Sequence, residues 1–227
     1  LARLIDEDRI NRVLRFIAQL KHTKSPWYGK PFILHDWQKK ILIDLYGTVN
    51  KEGLRQYRQA FLFLARKNGK SELAAALALY HLFADNCPGG EIYSAAADRE
   101  QASLIFNVAR DMVRQVPELR KRSKVIETQK RIVNYRNNSF YRAIPAEAAS
   151  AHGYNASAVI IDELHTQPNR ELYDVLTTST GTRDEPMIIS ISTAGFDKNH
   201  SICGEVYNYA KKVKEGIVDD PSFYPVI

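Results

Sequence analysis

Hydrophobic and polar positions follow two different periods along this chain, and the switches between them mark out its elements. Between Asp6 and Lys21, Ile10, Val13, Leu14, Ile17 and Leu20 recur at three- and four-residue steps with Arg and Lys between them. This predicts an amphipathic helix with a basic outer face. Lys24-Ser25-Pro26 ends it, and Trp27-Tyr28-Gly29-Lys30-Pro31-Phe32 reads as an aromatic-rich connector. Asp36 is expected to cap a second helix through Trp37, Ile41, Leu42 and Leu45. The run Ala60-Phe61-Leu62-Phe63-Leu64 then predicts a buried strand, and Glu72 to Leu79, rich in Ala and Leu, predicts a helix after it.

The second half of the chain repeats this alternation. After the loop Asn86-Cys87-Pro88-Gly89-Gly90 comes an expected strand, Glu91 to Ala96. A helix capped by Asp98 follows, with Ala102, Ile105, Val108, Ala109, Met112, Val113 and Val116 as its apolar stripe. Arg131 to Arg136, turning at Asn137-Asn138 into Ser139 to Ile144, predicts a hairpin. Ala158 to Ile161 and Met187 to Thr193 predict two more strands, separated by a helix beginning at Asn169 with Leu172, Val175 and Leu176. A last helix near Ile202 to Lys214 places Lys211, Lys212 and Lys214 at its C-terminal end, where cations suit the macrodipole. Strands alternating with helices imply an α/β fold with a mostly parallel sheet and right-handed crossovers. Residues 1–50 read as an N-terminal helical segment and residues 51–227 as the core.

The candidate chemistry sits where strands end. Ala65-Arg66-Lys67-Asn68-Gly69-Lys70-Ser71 joins a strand to a helix, the layout of a phosphate-binding loop whose backbone N–H groups and helix N-terminus face an anion. Lys70 would reach the β/γ-phosphates of ATP and the Ser71 hydroxyl would ligate Mg²⁺. The usual pattern has a glycine five residues before Gly69, where this chain has Leu64. About ninety residues on, Ile160-Ile161 leads into Asp162-Glu163, placing two carboxylates where open α/β sheets bind ligands. Asp162 would hold Mg²⁺ and Glu163 would polarise the attacking water. The alternative, that Asp162 and Glu163 simply cap a helix, loses ground once a Gly-Lys-Ser loop precedes them. Ser192-Thr193, ending the following strand, would sense the γ-phosphate or else cap the next turn. Gln38 offers both a donor and an acceptor to an adenine edge, the alternative being a solvent-exposed helix position.

Composition narrows the class further. The 227 residues are 44% hydrophobic, enough for one well-cored domain, and a formal charge of +6 fits a polyanionic partner. Arg120, Lys121, Arg122, Lys124, Lys130, Arg131 and Arg136 interleave with Tyr135, Phe140 and Tyr141. Such a stretch suits nucleic-acid contact or, alternatively, a charged edge hairpin. Cys87 and Cys203 alone exclude a disulfide scaffold and suit a reducing cytosol. No apolar run reaches the roughly 20 residues of a spanning helix, and no signal-peptide pattern opens the chain. The ends read as those of a fragment.

Taken together, these motifs resemble the ATPase domain of a tailed-phage terminase large subunit, the motor that packages double-stranded DNA into the procapsid. The resemblance runs from Leu34-His35-Asp36-Trp37-Gln38 to Asp220-Pro221-Ser222-Phe223-Tyr224. Ala65 to Ser71 is similar to the terminase variant of the phosphate loop, in which the first glycine is dispensable and an early arginine, here Arg66, contacts the phosphates. Ile160 to His165 resembles the family's acidic strand, Ile191 to Gly195 its coupling motif, and Gln38 its adenine-reading glutamine. The resemblance implies a P-loop NTPase fold, ATP and Mg²⁺ as cofactors, and a host-cytoplasmic viral protein absent from the mature virion. It also implies a pentameric ring on the portal protein, help from a small terminase subunit, and a nuclease domain following this one. In such rings a neighbour's arginine completes the site. The loop before the acidic strand has His152 and no arginine, so Arg183 and Arg142 stand as candidates.

Two other readings compete. Asp162-Glu163-Leu164-His165 also satisfies a D-E-x-H box, as in helicase-type translocases, although those close their site with a second domain. A nucleotide-binding switch without efficient turnover is the other, and Glu163 argues against it because binding alone needs no water-polarising base.

Overall fold

The computed structural model describes residues 4–147, 153–194 and 201–227. Ala148 to His152, in the loop before the acidic strand, and Gly195 of the coupling motif lie outside these residues. Asp6 starts α1 (Glu7–Ala18) by accepting the Arg9 N–H at 3.0 Å, and Ile10, Val13, Phe16 and Ile17 form its buried face. Helix α2 (Asp36–Gly47) begins one residue earlier than its sequence signal suggests. His35 is the N-cap, Asp36 is already helical, and Gln38 Oε1 accepts the His35 N–H at 2.9 Å. The reach back from the third helical residue to the N-cap N–H is one half of a capping box, with His35 in the place that the sequence gives to Asp36. Short strands β1 (Leu4–Ile5) and β2 (Thr48–Val49) bracket the two helices.

The main sheet contains β3 (Gln59–Phe63), β4 (Glu91–Ala96), β5 (Ser123–Ile126), β6 (Arg131–Asn134), β7 (Ser139–Pro145), β8 (Ala156–Ile161), β9 (Met187–Ser192) and β10 (Phe223–Val226). Its order is β10-β3-β9-β8-β4-β7-β6-β5. All pairs from β10 to β7 are parallel, and β6 and β5 add an antiparallel meander at one edge. The hairpin predicted from Asn137-Asn138 is the β6–β7 pair, and β5 extends it by a strand. Crossover helices are α3 (Lys70–Phe83), α4 (Arg99–Gln115) with the short α5 (Pro117–Lys121), α6 (Glu171–Thr178) and α7 (Ile202–Lys214).

The two-residue period of the strands divides the core. On β3 and β8, Ala60, Leu62, Ala158 and Ile160 pack toward α1 to α4, while Phe61, Val159 and Ile161 pack toward α6 and α7. Strands β8 and β9 are buried throughout, which is why they read as unbroken apolar runs. Tyr224 of β10 donates its hydroxyl to Asp44 of α2 at 2.7 Å, tying the sheet edge to the N-terminal helices. No helix among the described residues is long and apolar enough to cross a membrane.

Candidate nucleotide site

Strand order places the chemistry. Strand β9 lies between β3 and β8, so the loop after β3, the carboxylates after β8 and the hydroxyls ending β9 meet at one end of the sheet. The loop is drawn onto β9 by the Leu64 N–H, which donates to the Ser192 carbonyl at 2.9 Å. Lys67 and Gly69 then take positive φ angles of 65° and 68°, and Gly69 becomes the N-cap of α3. A left-handed residue at that point suits glycine and turns the first N–H groups of α3 toward the space above the loop.

Four side chains converge there. Ser71 Oγ lies 3.4 Å from Asp162 Oδ2, at the edge of hydrogen-bond reach. Lys70 is buried, donates to the Ala65 carbonyl at 3.3 Å, and holds its Nζ 3.7 Å from Glu163 Oε1. Glu163 itself stands at φ 50°, a left-handed backbone unusual for a non-glycine residue and of the kind strained functional sites retain. Burial, reinforced by the neighbouring Glu163 carboxylate, pushes the Asp162 carboxyl up to about 6, against the opposing pull of the Glu163 N–H, Lys70 and Ser71.

A buried carboxylate held beside a hydroxyl is a hard-oxygen pair that suits Mg²⁺, an ion that keeps several waters and takes its remaining ligands from phosphate oxygens. Among the described residues no cluster of three or more His, Cys, Asp or Glu could hold a metal. Ser71 and Asp162 fit Mg²⁺.

Two cavities flank the loop. One of about 420 Å³ is lined by Arg66, Lys70, Ser71, Gln101, Asp162, Glu163 and Thr193 among others. The second, about 340 Å³, lies on the connector side against His22, Lys24, Trp27, Gly69 and Glu72. Glu72 closes that side by accepting the Thr23 N–H at 3.3 Å and meeting His22 Nδ1 at 2.9 Å. A larger cavity of about 520 Å³, walled by Leu4, Tyr57, Pro221 and Tyr224, does not contain the phosphate loop.

Most residues singled out in the sequence gather here. Gln38 is buried, not solvent-exposed, and its side-chain nitrogen lies 4.0 Å from where a Cβ on Gly69 would stand. Thr193 lines the larger flanking cavity, while Ser192 is fully buried with its hydroxyl 3.3 Å from His165 Nδ1 and 3.2 Å from Cys203 Sγ. Gln101 and Thr166 join the site with no role foreseen in the sequence, and His165, singled out only as the end of the D-E-x-H box, lines it as well. The Asp98 cap, which places Gln101 in the first turn of α4, was the available signal for the first of them.

Several residues lie elsewhere. Arg183 binds the carbonyls of Gly89 and Asn155 at the entrances to β4 and β8, the opposite end of the sheet. Arg142 is exposed on β7, paired in register with Tyr93 and Arg131. Tyr141, expected among the nucleic-acid-facing aromatics, is instead fully buried and shares a 2.7 Å hydrogen bond with Ser94. Strand β7 is interior, so its alternate residues face packed helices and not solvent.

Comparison with known proteins agrees with this geometry. The family described as "Terminase large subunit, ATPase domain" matches residues 36–212. The terminase large subunit of Enterobacteria phage HK97 is 33% identical over 189 residues, covering 82% of this chain and 36% of that protein. The crystal structure of the HK97 large terminase superposes with a TM-score of 0.80 at 28% identity, over 96% of this chain and 43% of that one. The large terminase ATPase domain of Thermus phage P74-26 shares the fold, with a TM-score of 0.59 at 21% identity over 76% of each chain. The chain thus spans less than half the length of its HK97 relatives. It belongs to the terminase large subunit ATPase domain family.

Proposed function

We propose that this chain binds Mg-ATP above the phosphate loop and hydrolyses it by in-line attack of water, powering movement of double-stranded DNA into a procapsid. The observation that carries the reading is the meeting of Lys70 with Glu163 and of Ser71 with Asp162 across one cavity. The loop N–H groups and Lys70 neutralise the β- and γ-phosphates, and Arg66 at the cavity wall adds a second cation. Lys67, Asn68 and Gly69 shape the loop, and Gln38 beside Gly69 reads the adenine edge. Ser71 and Asp162 would hold Mg²⁺, which would supply charge neutralisation for the phosphates. Glu163 orients the water and accepts its proton. Ser192 and Thr193 report the γ-phosphate state to the rest of the domain.

The DNA-facing surface is the outer edge of the sheet. There Arg120, Lys121, Lys124, Tyr135 and Arg136 are exposed around β5 and β6. Arg122 and Arg131 are turned inward over the rings of Phe83 and Phe140 at 5.0 and 3.9 Å. The portal protein, a small terminase subunit and a ring of five copies are the partners this role calls for, with Arg142 or Arg183 offered to a neighbour's site.

The test is phosphate release by wild type and Lys70→Ala at saturating Mg-ATP. Loss of at least about a hundredfold is expected from removing a phosphate-neutralising cation. Equal turnover in the two proteins would refute the assignment.

A further inference from the structure

The carboxylate of Glu163 is only half engaged. Its Oε1 faces Lys70, whereas Oε2 is buried and makes no properly angled hydrogen bond among the described residues. The group closest to meeting that need is His165 Nδ1, 3.2 Å away but out of line. The same nitrogen lies 3.3 Å from Ser192 Oγ, and Ser192 Oγ lies 3.2 Å from the Cys203 thiol in the first turn of α7. Around this contact the elements are packed together. Helix α7 rests on the Leu164–Thr166 turn that carries His165, and the Ser192 carbonyl holds the start of the phosphate loop through Leu64.

One ring nitrogen cannot serve both neighbours at once. With its proton on Nδ1, the imidazole donates to Glu163 Oε2; with the proton on Nε2, Nδ1 accepts from the Ser192 hydroxyl. A Ser192 hydroxyl not given to His165 is free to turn to Cys203.

Resting on the ATPase reading above, we propose that His165 is a positioning residue with two alternative partners. Bonded to Glu163 it fixes the carboxylate that orients the water; bonded to Ser192 it releases that carboxylate and changes the Ser192–Cys203 contact at the root of α7. His165 touches neither phosphate nor water in this scheme. It sets whether Glu163 is held, and it couples that state to a helix on the opposite face of the sheet from α3.

The experiment uses the full-length protein carrying this domain, with His165→Ala and His165→Asn compared with wild type. The amide nitrogen of Asn can stand where Nδ1 stands. Misplacing the water-orienting group is expected to lower kcat roughly tenfold to a hundredfold in His165→Ala, with KM and the Kd for a fluorescent ATP analogue almost unchanged. His165→Asn is expected to recover most of the loss. In ¹⁵N spectra of wild type, the His165 ring nitrogens are expected to exchange protonated and bare character between the ADP state and a non-hydrolysable ATP state. An unchanged kcat in His165→Ala overturns the proposal. So does a loss of nucleotide affinity equal to the loss of kcat, or a ¹⁵N pattern identical in both states; the spectra decide if the variants fold poorly. Wild-type hydrolysis abolished by Lys70→Ala, together with any of these results, sinks the role of His165 and leaves the ATPase standing.

Discussion

Lys70 Nζ lies 3.7 Å from Glu163 Oε1, so the cation assigned to the phosphates and the carboxylate assigned to the water face each other across the site. A γ-phosphate placed between them would draw Lys70 away and leave Glu163 free to act as base. Glu163→Gln is therefore expected to keep nucleotide affinity within a few-fold while turnover falls by about a hundredfold or more. Fluorescent-nucleotide titration beside phosphate release measures both; parallel losses would mean that Glu163 binds and does not catalyse.

Asp162 costs the empty domain stability. Its carboxyl is raised in the folded state to about 6, mainly by burial and then by Glu163. The folded state thus holds a proton that the unfolded chain has already lost, and this group's contribution becomes unfavourable as pH rises from about 4 to 6. Asp162→Asn should stabilise the nucleotide-free domain at pH 7 by roughly 3 kcal/mol, at about 1.4 kcal/mol per pH unit, and abolish hydrolysis. A thermal melt no higher than wild type would contradict this.

His81 acts in the opposite sense. It lies 2.9 Å from the Tyr46 hydroxyl and 2.8 Å from Asp85, whose carboxylate also pairs with the buried Arg55 at 3.0 Å. Burial holds the imidazole below its ordinary value, although Asp85 pulls it up. The unfolded chain takes up a proton first, so stability present above about 6.5 is lost as pH falls through the folded value. Melting curves between pH 7 and 5 should show this decline, and His81→Gln should flatten it. Asp85→Ala should cost about 3–5 kcal/mol, because it strands a buried guanidinium.

The edge surface makes a salt-dependent prediction. Lys121→Glu with Lys124→Glu should weaken DNA binding on all sequences alike and reduce the slope of log affinity against log salt by about two. Fluorescence anisotropy across a salt series reads this, with DNA-free ATPase expected to stay at the wild-type level. An unaltered slope would move the DNA contact elsewhere.

What the sequence disclosed follows from local rules. Strands β8 and β9 were plain because both faces are covered, and the phosphate loop because its residues are contiguous. Asp98 was plain because a cap bonds three residues away. Tyr141 misled because interleaved basic and aromatic residues look alike whether a strand lies at an edge or inside, and only strand order decides. The burial of Gln38 is not legible in the sequence because it depends on α2 packing beside Gly69. The contact of His165 with Ser192 could not be read at all, since it exists only because β8 and β9 are neighbours.

The parallel pairing of β10 with β3 has a mechanical meaning. Phe223 to Val226 lie in register with Gln59 to Leu62, in the strand that runs straight into the phosphate loop. Tension drawn along β10 loads the bonds between these strands in shear, all together and not one after another as in unzipping. The sheet edge is thus built as a stiff tether, and a tug on it is felt first by the strand that leads into the Gly69–Lys70 turn.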